Sequence, residues 1–312
     1  MNSNQTIIFP QPLVDGDKIV FCTPAGTINP EKVEKAADVL REQGWEVEIM
    51  PHALGKSGSY SGTADERYDD FSRALLDPEV KAIVCSRGGY GVVHILDRLA
   101  ELDLRANPKW IAGFSDISAL HALMAVNGIA SIHSSMAAQL MLGPDDEDNA
   151  SFFAILRGER PAYTFDGHGF DRCGIATGKL LGGNVAVLAE LISTPYDIIK
   201  PGTILFIEDI AEPIYKIERI MYQLKMSGVL EGLNGLIVGQ FTDYKPDENH
   251  ADMYEMIRDM VAPYDYPVAY NAPIGHVDHN IPLIESAQVT LKVSPSERNS
   301  LIFHRSPSES NN

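Results

Sequence analysis

The chain has 312 residues, 45% hydrophobic and 22% charged, values of an ordinary folded protein that set aside disordered and collagen-like classes. Its 25 Lys and Arg against 43 Asp and Glu give a net charge of -18, so neither nucleic acid nor an anionic membrane is an expected partner. Three scattered cysteines, Cys22, Cys85 and Cys173, form no CxxC and predict neither a disulfide framework nor a thiolate zinc site, and the absence of a signal-peptide pattern or long apolar run predicts a cytoplasmic protein.

In chain order, residues 18–22 read as a short buried strand, Thr23-Pro24-Ala25-Gly26 as a loop, and residues 30–43 as a helix. Residues 45–50 alternate apolar with acidic side chains, as a strand with one wet face does, and a Gly/Ser-rich loop follows at 55–63. A helix is predicted over 65–76, then a strand over 80–85 that ends in Ser86-Arg87-Gly88-Gly89-Tyr90-Gly91, then a helix over 92–99. Residues 110–113 are strand-like and 117–126 helical. Strand, polar or Gly-rich turn, and helix at short intervals predict an α/β fold with a Rossmann-like parallel sheet, its ligands at the carboxyl ends of the strands. The periodicity degrades between 141 and 172 and returns with a helix over 185–191, a strand over 203–207, a helix over 215–226 and a strand over 236–239. The expected division is an N-terminal domain over 1–160, a linker over 161–174, a smaller mixed α/β domain over 175–305, and a frayed Ser/Glu/Asn-rich tail over 306–312.

Gly113-Phe114-Ser115-Asp116 carries the sharpest local signal, because a glycine two positions before Ser115 permits a cramped strand-to-helix turn. There the serine hydroxyl would project over the sheet edge beside the Asp116 N–H, the logic of a nucleophile elbow. Helix capping by Ser115 is the competing reading. In Arg87-Gly88-Gly89-Tyr90-Gly91 the glycines can turn backbone N–H groups toward an oxyanion or a phosphate, or can serve a plain tight turn; neither GxGxxG nor a P-loop is spelled. Candidate bases are His276, in the loop Gly275-His276-Val277-Asp278-His279, together with His94, His121 and His133. The His276/His279 spacing lacks a convincing carboxylate partner, so no metal and no cofactor is expected. The acidic segment Glu208-Asp209-Ile210-Ala211-Glu212 follows a buried strand and could orient an imidazole or cap a helix.

These segments, with Ser61-Gly62-Thr63-Ala64-Asp65-Glu66-Arg67, Gly178-Lys179-Leu180-Leu181-Gly182-Gly183-Asn184 and Tyr215-Lys216-Ile217-Glu218-Arg219, run in the order found in LD-carboxypeptidases. The chain resembles that family of serine peptidases, which includes murein tetrapeptide carboxypeptidases and related microcin-immunity peptidases, over nearly its whole length. The resemblance implies a Ser-His-Glu triad shared by two domains across a cleft: Ser115, His276, and Glu208, with Glu212 as the reserve acid. It implies oxyanion donors at the backbone of Gly88 or Gly89 and at Asp116, a cytoplasmic homodimer, no metal, and cleavage before a C-terminal D-alanine in murein peptides, with Arg87 and Tyr90 as substrate-binding candidates. His133-Ser134-Ser135 departs from the family's usual His-Gly-Pro, whereas the arginine-containing glycine loop resembles the carboxypeptidase branch. Two other readings stand beside it: a peptidase of peptide-nucleotide or acyl-amino-acid conjugates, and a non-catalytic module that binds cell-wall peptides.

Overall fold

β1 (Lys18–Cys22) buries four of its five residues, as an inner strand covered on both faces requires. The computed structural model describes residues 6–305; the tail at 306–312 lies outside them. α1 (Pro30–Glu42) starts where the Asn29 side chain accepts from Glu31 N and a proline takes the first turn. β2 (Glu46–Ile49) alternates exposed and half-buried positions. α2 (Ala64–Leu76) is fixed by a capping box between Thr63 and Glu66. There follow β3 (Val80–Cys85), α3 (Val93–Ala100), β4 (Trp110–Gly113), α4 (Ser118–Val126), β5 (Ser131–His133), α5 (Ala137–Leu140) and α6 (Glu147–Leu156).

The remaining elements are β6 (Ala162–Phe165), β7 (Gly174–Asn184), α7 (Val185–Glu190), β8 (Thr203–Ile210), α8 (Ile214–Met226), β9 (Gly235–Thr242), α9 (Met253–Val261), β10 (Val268–Ala269), β11 (Leu283–Glu285), β12 (Gln288–Val293) and β13 (Asn299–Phe303). The chain divides into two α/β units: residues 1–159 with 281–284, and residues 160–280 with 285–312. The first holds a six-stranded sheet in the order β11-β5-β4-β3-β1-β2, with β1 to β5 parallel. The second holds a seven-stranded mixed sheet in the order β10-β9-β8-β7-β12-β13-β6. Its β7 to β10 run parallel and its β12, β13 and β6 are antiparallel. No helix among the described residues is long and apolar enough to cross a membrane.

Two expectations change. The linker placed at 161–174 is part of the second unit and contains β6, which pairs with β13 from Ala162 to Phe165; a half-exposed edge strand lacks the apolar run that marks a central one. β8 does not stop at Ile207. It continues through Glu208 and Asp209 to Ile210, with Glu208 paired to Asn184 on β7 and an irregularity toward β9, because both carboxylates find partners inside the protein.

Candidate active site

Ser115 occupies the turn between β4 and α4. Gly113, at φ +152°, has no room for a side chain: a Cβ there would meet Ile117 Cγ1 at 3.0 Å and Cys85 Cβ at 3.1 Å. Ser115 itself holds φ 66°, a left-handed backbone that costs a non-glycine residue about 1–3 kcal/mol and persists only where the surroundings enforce it. It opens one 3-10 turn, Ser115–Ile117, that runs into α4. The cap positions of that turn and of α4 are Phe114 and Ile117, neither with a side-chain cap bond. Ser115 is therefore not the helix cap.

The glycine loop after β3 lies against this turn. A Cβ on Gly88 would sit 2.8 Å from Ser115 Cβ, 3.0 Å from its Oγ and 3.2 Å from Asp116 N. Gly89 and Gly91 take φ of +103° and +136°, conformations that turn peptide groups in directions other residues resist. Gly88 O accepts from Gly26 N at 2.9 Å, tying the loop to the one after β1. These loops end β1 and β3, the neighbouring strands where the connection order reverses, and open α/β sheets carry their ligands at such a point. Arg87 is exposed and donates Nη1 to Thr27 O at 2.5 Å. Tyr90 is 53% exposed, with its ring 5.2 Å from that of His94.

In the second unit Glu208 is completely buried, and its Oε2 lies 2.8 Å from His276 Nδ1. An ionised carboxylate only accepts, so Nδ1 carries the proton and Nε2 is left as the basic nitrogen. Gly275, at φ +123°, lets the loop pass over the carboxylate, since a Cβ there would meet Glu208 Oε2 at 2.9 Å. Gly275 N donates to Asn280 Oδ1 at 2.9 Å and Gln240 N to Ile274 O at 2.8 Å, which holds the His276 loop to β9. Successive strand side chains point to opposite faces, and Asp209 has its own partners: Asn184 Nδ2 and Ala186 N at 2.9 Å, and Ile210 N at 2.8 Å. Burial, then the neighbouring Glu208 charge, pushes the Asp209 pKa up to about 6. Glu212 is partly exposed and pairs with Lys216 at 2.8 Å.

The profile of the LD-carboxypeptidase N-terminal domain matches residues 19–134, and that of the C-terminal domain matches 177–291. A Bacillus subtilis (strain 168) protein named as a probable murein peptide carboxypeptidase is 30% identical over 293 residues, covering 91% of this chain and 92% of its own. The chain belongs to the LD-carboxypeptidase family. It shares its fold with the crystal structure of muramoyltetrapeptide carboxypeptidase from Oxalobacter formigenes, at a TM-score of 0.80 and 24% identity over 93% of this chain and 99% of that one. The microcin C7 self-immunity protein MccF of Escherichia coli is 26% identical, over 85% of this chain and 87% of its own. As an LD-carboxypeptidase family member the chain is a serine hydrolase of the carboxypeptidase type.

Within this LD-carboxypeptidase fold the residues singled out from sequence fall in two groups. Arg87, Gly88, Gly89, Tyr90, Ser115 and Asp116 are in the first unit, and Glu208, Glu212 and His276 in the second. The other histidines are differently employed. His121 is fully buried; its Nε2 donates to Gly113 O at 2.8 Å and its Nδ1 accepts from Ser131 Oγ at 2.9 Å, while burial pushes its pKa down to about 4. His133 is also buried, its ring 5.8 Å from that of Phe114, and Ser134 N donates to Gly113 O at 3.1 Å. The departure at His133-Ser134-Ser135 thus backs the end of β4. Among the described residues, His52, Asp69 and Asp70 are the one group of three whose ligand atoms lie within 4.8 Å of one another, and Asp70 is already bonded to His52 at 2.8 Å. Sequence reasoning gave no role to Arg67, whose partners come from three separate loops and leave no local pattern.

Proposed function

We propose that the protein is a serine LD-carboxypeptidase that removes the C-terminal D-alanine from murein tetrapeptides during peptidoglycan recycling in the cytoplasm. The observation that carries this reading is Ser115 set on the tight turn between β4 and α4 with the glycine loop packed against it, a Cβ on Gly88 falling 3.0 Å from Ser115 Oγ and 3.2 Å from Asp116 N, the placement of a nucleophile beside backbone donors. The reading requires Ser115 and His276 to act on the same peptide bond.

In that reaction His276 Nε2 takes the proton of Ser115 Oγ as the oxygen attacks the carbonyl carbon before D-alanine. The negative charge that develops on the carbonyl oxygen is met by N–H groups of Asp116 and of Gly88 or Gly89, aligned in advance. The imidazolium returns its proton to the departing D-alanine nitrogen, leaving the tripeptide esterified to Ser115, and a water activated by the same His276 releases it. Glu208 stays ionised and holds the ring. Arg87 is the cation assigned to the terminal carboxylate, within a loop beside the nucleophile.

The relatives named for murein peptides support this substrate class. The similarity to MccF supports a second reading, a peptidase of peptide-nucleotide conjugates. Mass spectrometry of a defined murein tetrapeptide, and separately of an aminoacyl-nucleotide conjugate, decides between them. Loss of one alanine from the first with the second intact is the expected result; cleavage of the conjugate alone overturns the murein reading.

A further inference from the structure

Arg67 is 3% exposed, and its hydrogen-bond partners are three backbone carbonyls and one imidazole. Nη1 donates to Pro24 O at 2.5 Å and to Gly91 O at 2.7 Å, Nε to Gly62 O at 3.2 Å, and Nη2 to His94 Nδ1 at 3.1 Å. Gly91 has to be glycine for this approach, since a Cβ there would meet Nη1 at 2.9 Å. Burying a guanidinium among carbonyls is expensive, and the arrangement has a geometric product. The peptide joining Gly91 to Val92 is gripped on both sides: its oxygen by Arg67, and its nitrogen, Val92 N, by Asp116 Oδ2 at 2.9 Å. Asp116 directly follows Ser115 and is 5% exposed; burial lowers the Arg67 pKa, with Tyr60 and then the Asp116 charge acting against it. The circuit closes through the loop after β1, where Arg67 holds Pro24 O and Gly26 N holds Gly88 O at 2.9 Å.

Resting on the reading of Ser115 as nucleophile, we infer that Arg67 and the Asp116 side chain act together as positioning residues that set the distance between the glycine-loop N–H groups and Ser115. Neither side chain touches the reacting atoms. Their effect falls on the developing oxyanion, so it belongs to the transition state and not to substrate binding.

The test is the rate of Ser115 acylation by a β-lactone probe, whose ring opens to a stable serine ester with its released hydroxyl still tethered, followed by intact mass, together with kcat and KM on the murein tetrapeptide. If wild type fails to react at Ser115, the nucleophile reading itself falls. If it reacts, Arg67→Ala is expected to slow acylation about 30- to 100-fold, the scale of a displaced oxyanion donor, with KM within about threefold. Arg67→Lys, which keeps a cationic donor but not the fork, should recover part of the loss. Asp116→Ala should slow acylation comparably, and the double variant should be little worse than either alone, because both grip one peptide. Native thermal melts exclude misfolded variants, and Arg67→Lys stands in should Arg67→Ala not fold, with a loss of about threefold to tenfold expected. Acylation within threefold of wild type in the folded variants, losses confined to KM, or losses that multiply in the double variant would each overturn the inference.

Discussion

Glu208→Gln should cripple the enzyme while leaving its fold intact, and Glu212→Gln should do neither. Glu208 is fully buried with Oε2 2.8 Å from His276 Nδ1, so the swap keeps the side chain's shape and removes one charge. An amide in that place can offer its NH2 to Nδ1, which moves the ring proton to Nε2, the nitrogen needed as base. It also withdraws the negative charge that stabilises the imidazolium. The comparable change in another serine peptidase lowers kcat about 10⁴-fold, or about 5.5 kcal/mol at 1.36 kcal/mol per decade. Glu212 makes a partly exposed pair with Lys216 four residues on, a contact worth about 0.3–0.5 kcal/mol that touches no reacting group. The assay is kcat/KM of both variants on one tetrapeptide, with circular dichroism and thermal melts alongside. A folded Glu208→Gln variant within tenfold of wild type, or a crippled Glu212→Gln, would refute the reasoning and move the acidic role one turn along the chain.

Ser115→Gly should abolish acylation and raise stability by about 1 kcal/mol in chemical denaturation, because glycine accepts φ 66° without strain; an unchanged or lower midpoint would deny the strain. Gly88→Ala should cut turnover at least 100-fold, since its methyl would lie 3.0 Å from Ser115 Oγ, and near-normal kinetics would place the loop elsewhere. His121 is held neutral by burial, its pKa depressed from 6.5 to about 4, so the stability it contributes is present above pH 6.5 and lost as pH falls through 4. At about 1.4 kcal/mol per pH unit this is on the order of 3 kcal/mol; unfolding free energies of His121→Gln should show a correspondingly shallower acid limb, and identical limbs would count against it. Glu285 is fully buried and its pKa is raised, first by burial, with the Gly182 backbone opposing weakly. Stability should therefore fall as pH rises from the unfolded value near 4.3 toward the raised folded one, and Glu285→Gln should flatten that slope.

In the first sheet β1, β3 and β4 were readable as apolar runs closed by a turn signal and β2 by its alternation of apolar with acidic residues, whereas β5 and β11 are only three residues each and carry no such run; the Gly113-Phe114-Ser115 spacing marks an elbow through backbone sterics alone. β7 was illegible for a physical reason. Four glycines in eleven residues look like loop, yet Gly182 is glycine because a Cβ there would lie 2.5 Å from the Phe206 ring. Glu208 and Asp209 resembled the end of a strand because the His276 and Asn184 contacts that satisfy them come from far along the chain. Within the elbow, sequence left Ser115 between cap and nucleophile; the identity of the cap positions, Phe114 and Ile117, removes the cap reading. The Arg67 network was hidden for the same reason, since its acceptors at Pro24, Gly62 and Gly91 meet only after three loops have folded.

The six-stranded sheet takes its last strand, β11, from roughly 150 residues beyond β5, the strand it lies beside. At a synthesis rate of about 5–20 residues per second, the outer edge of β5 waits about 8 to 30 seconds on the ribosome before its partner exists. An unpaired edge is open to any passing strand for that interval. Slowing translation between residues 134 and 282 should therefore raise the aggregated fraction of newly made chains, and a chain cut after residue 159 should inherit the open edge permanently.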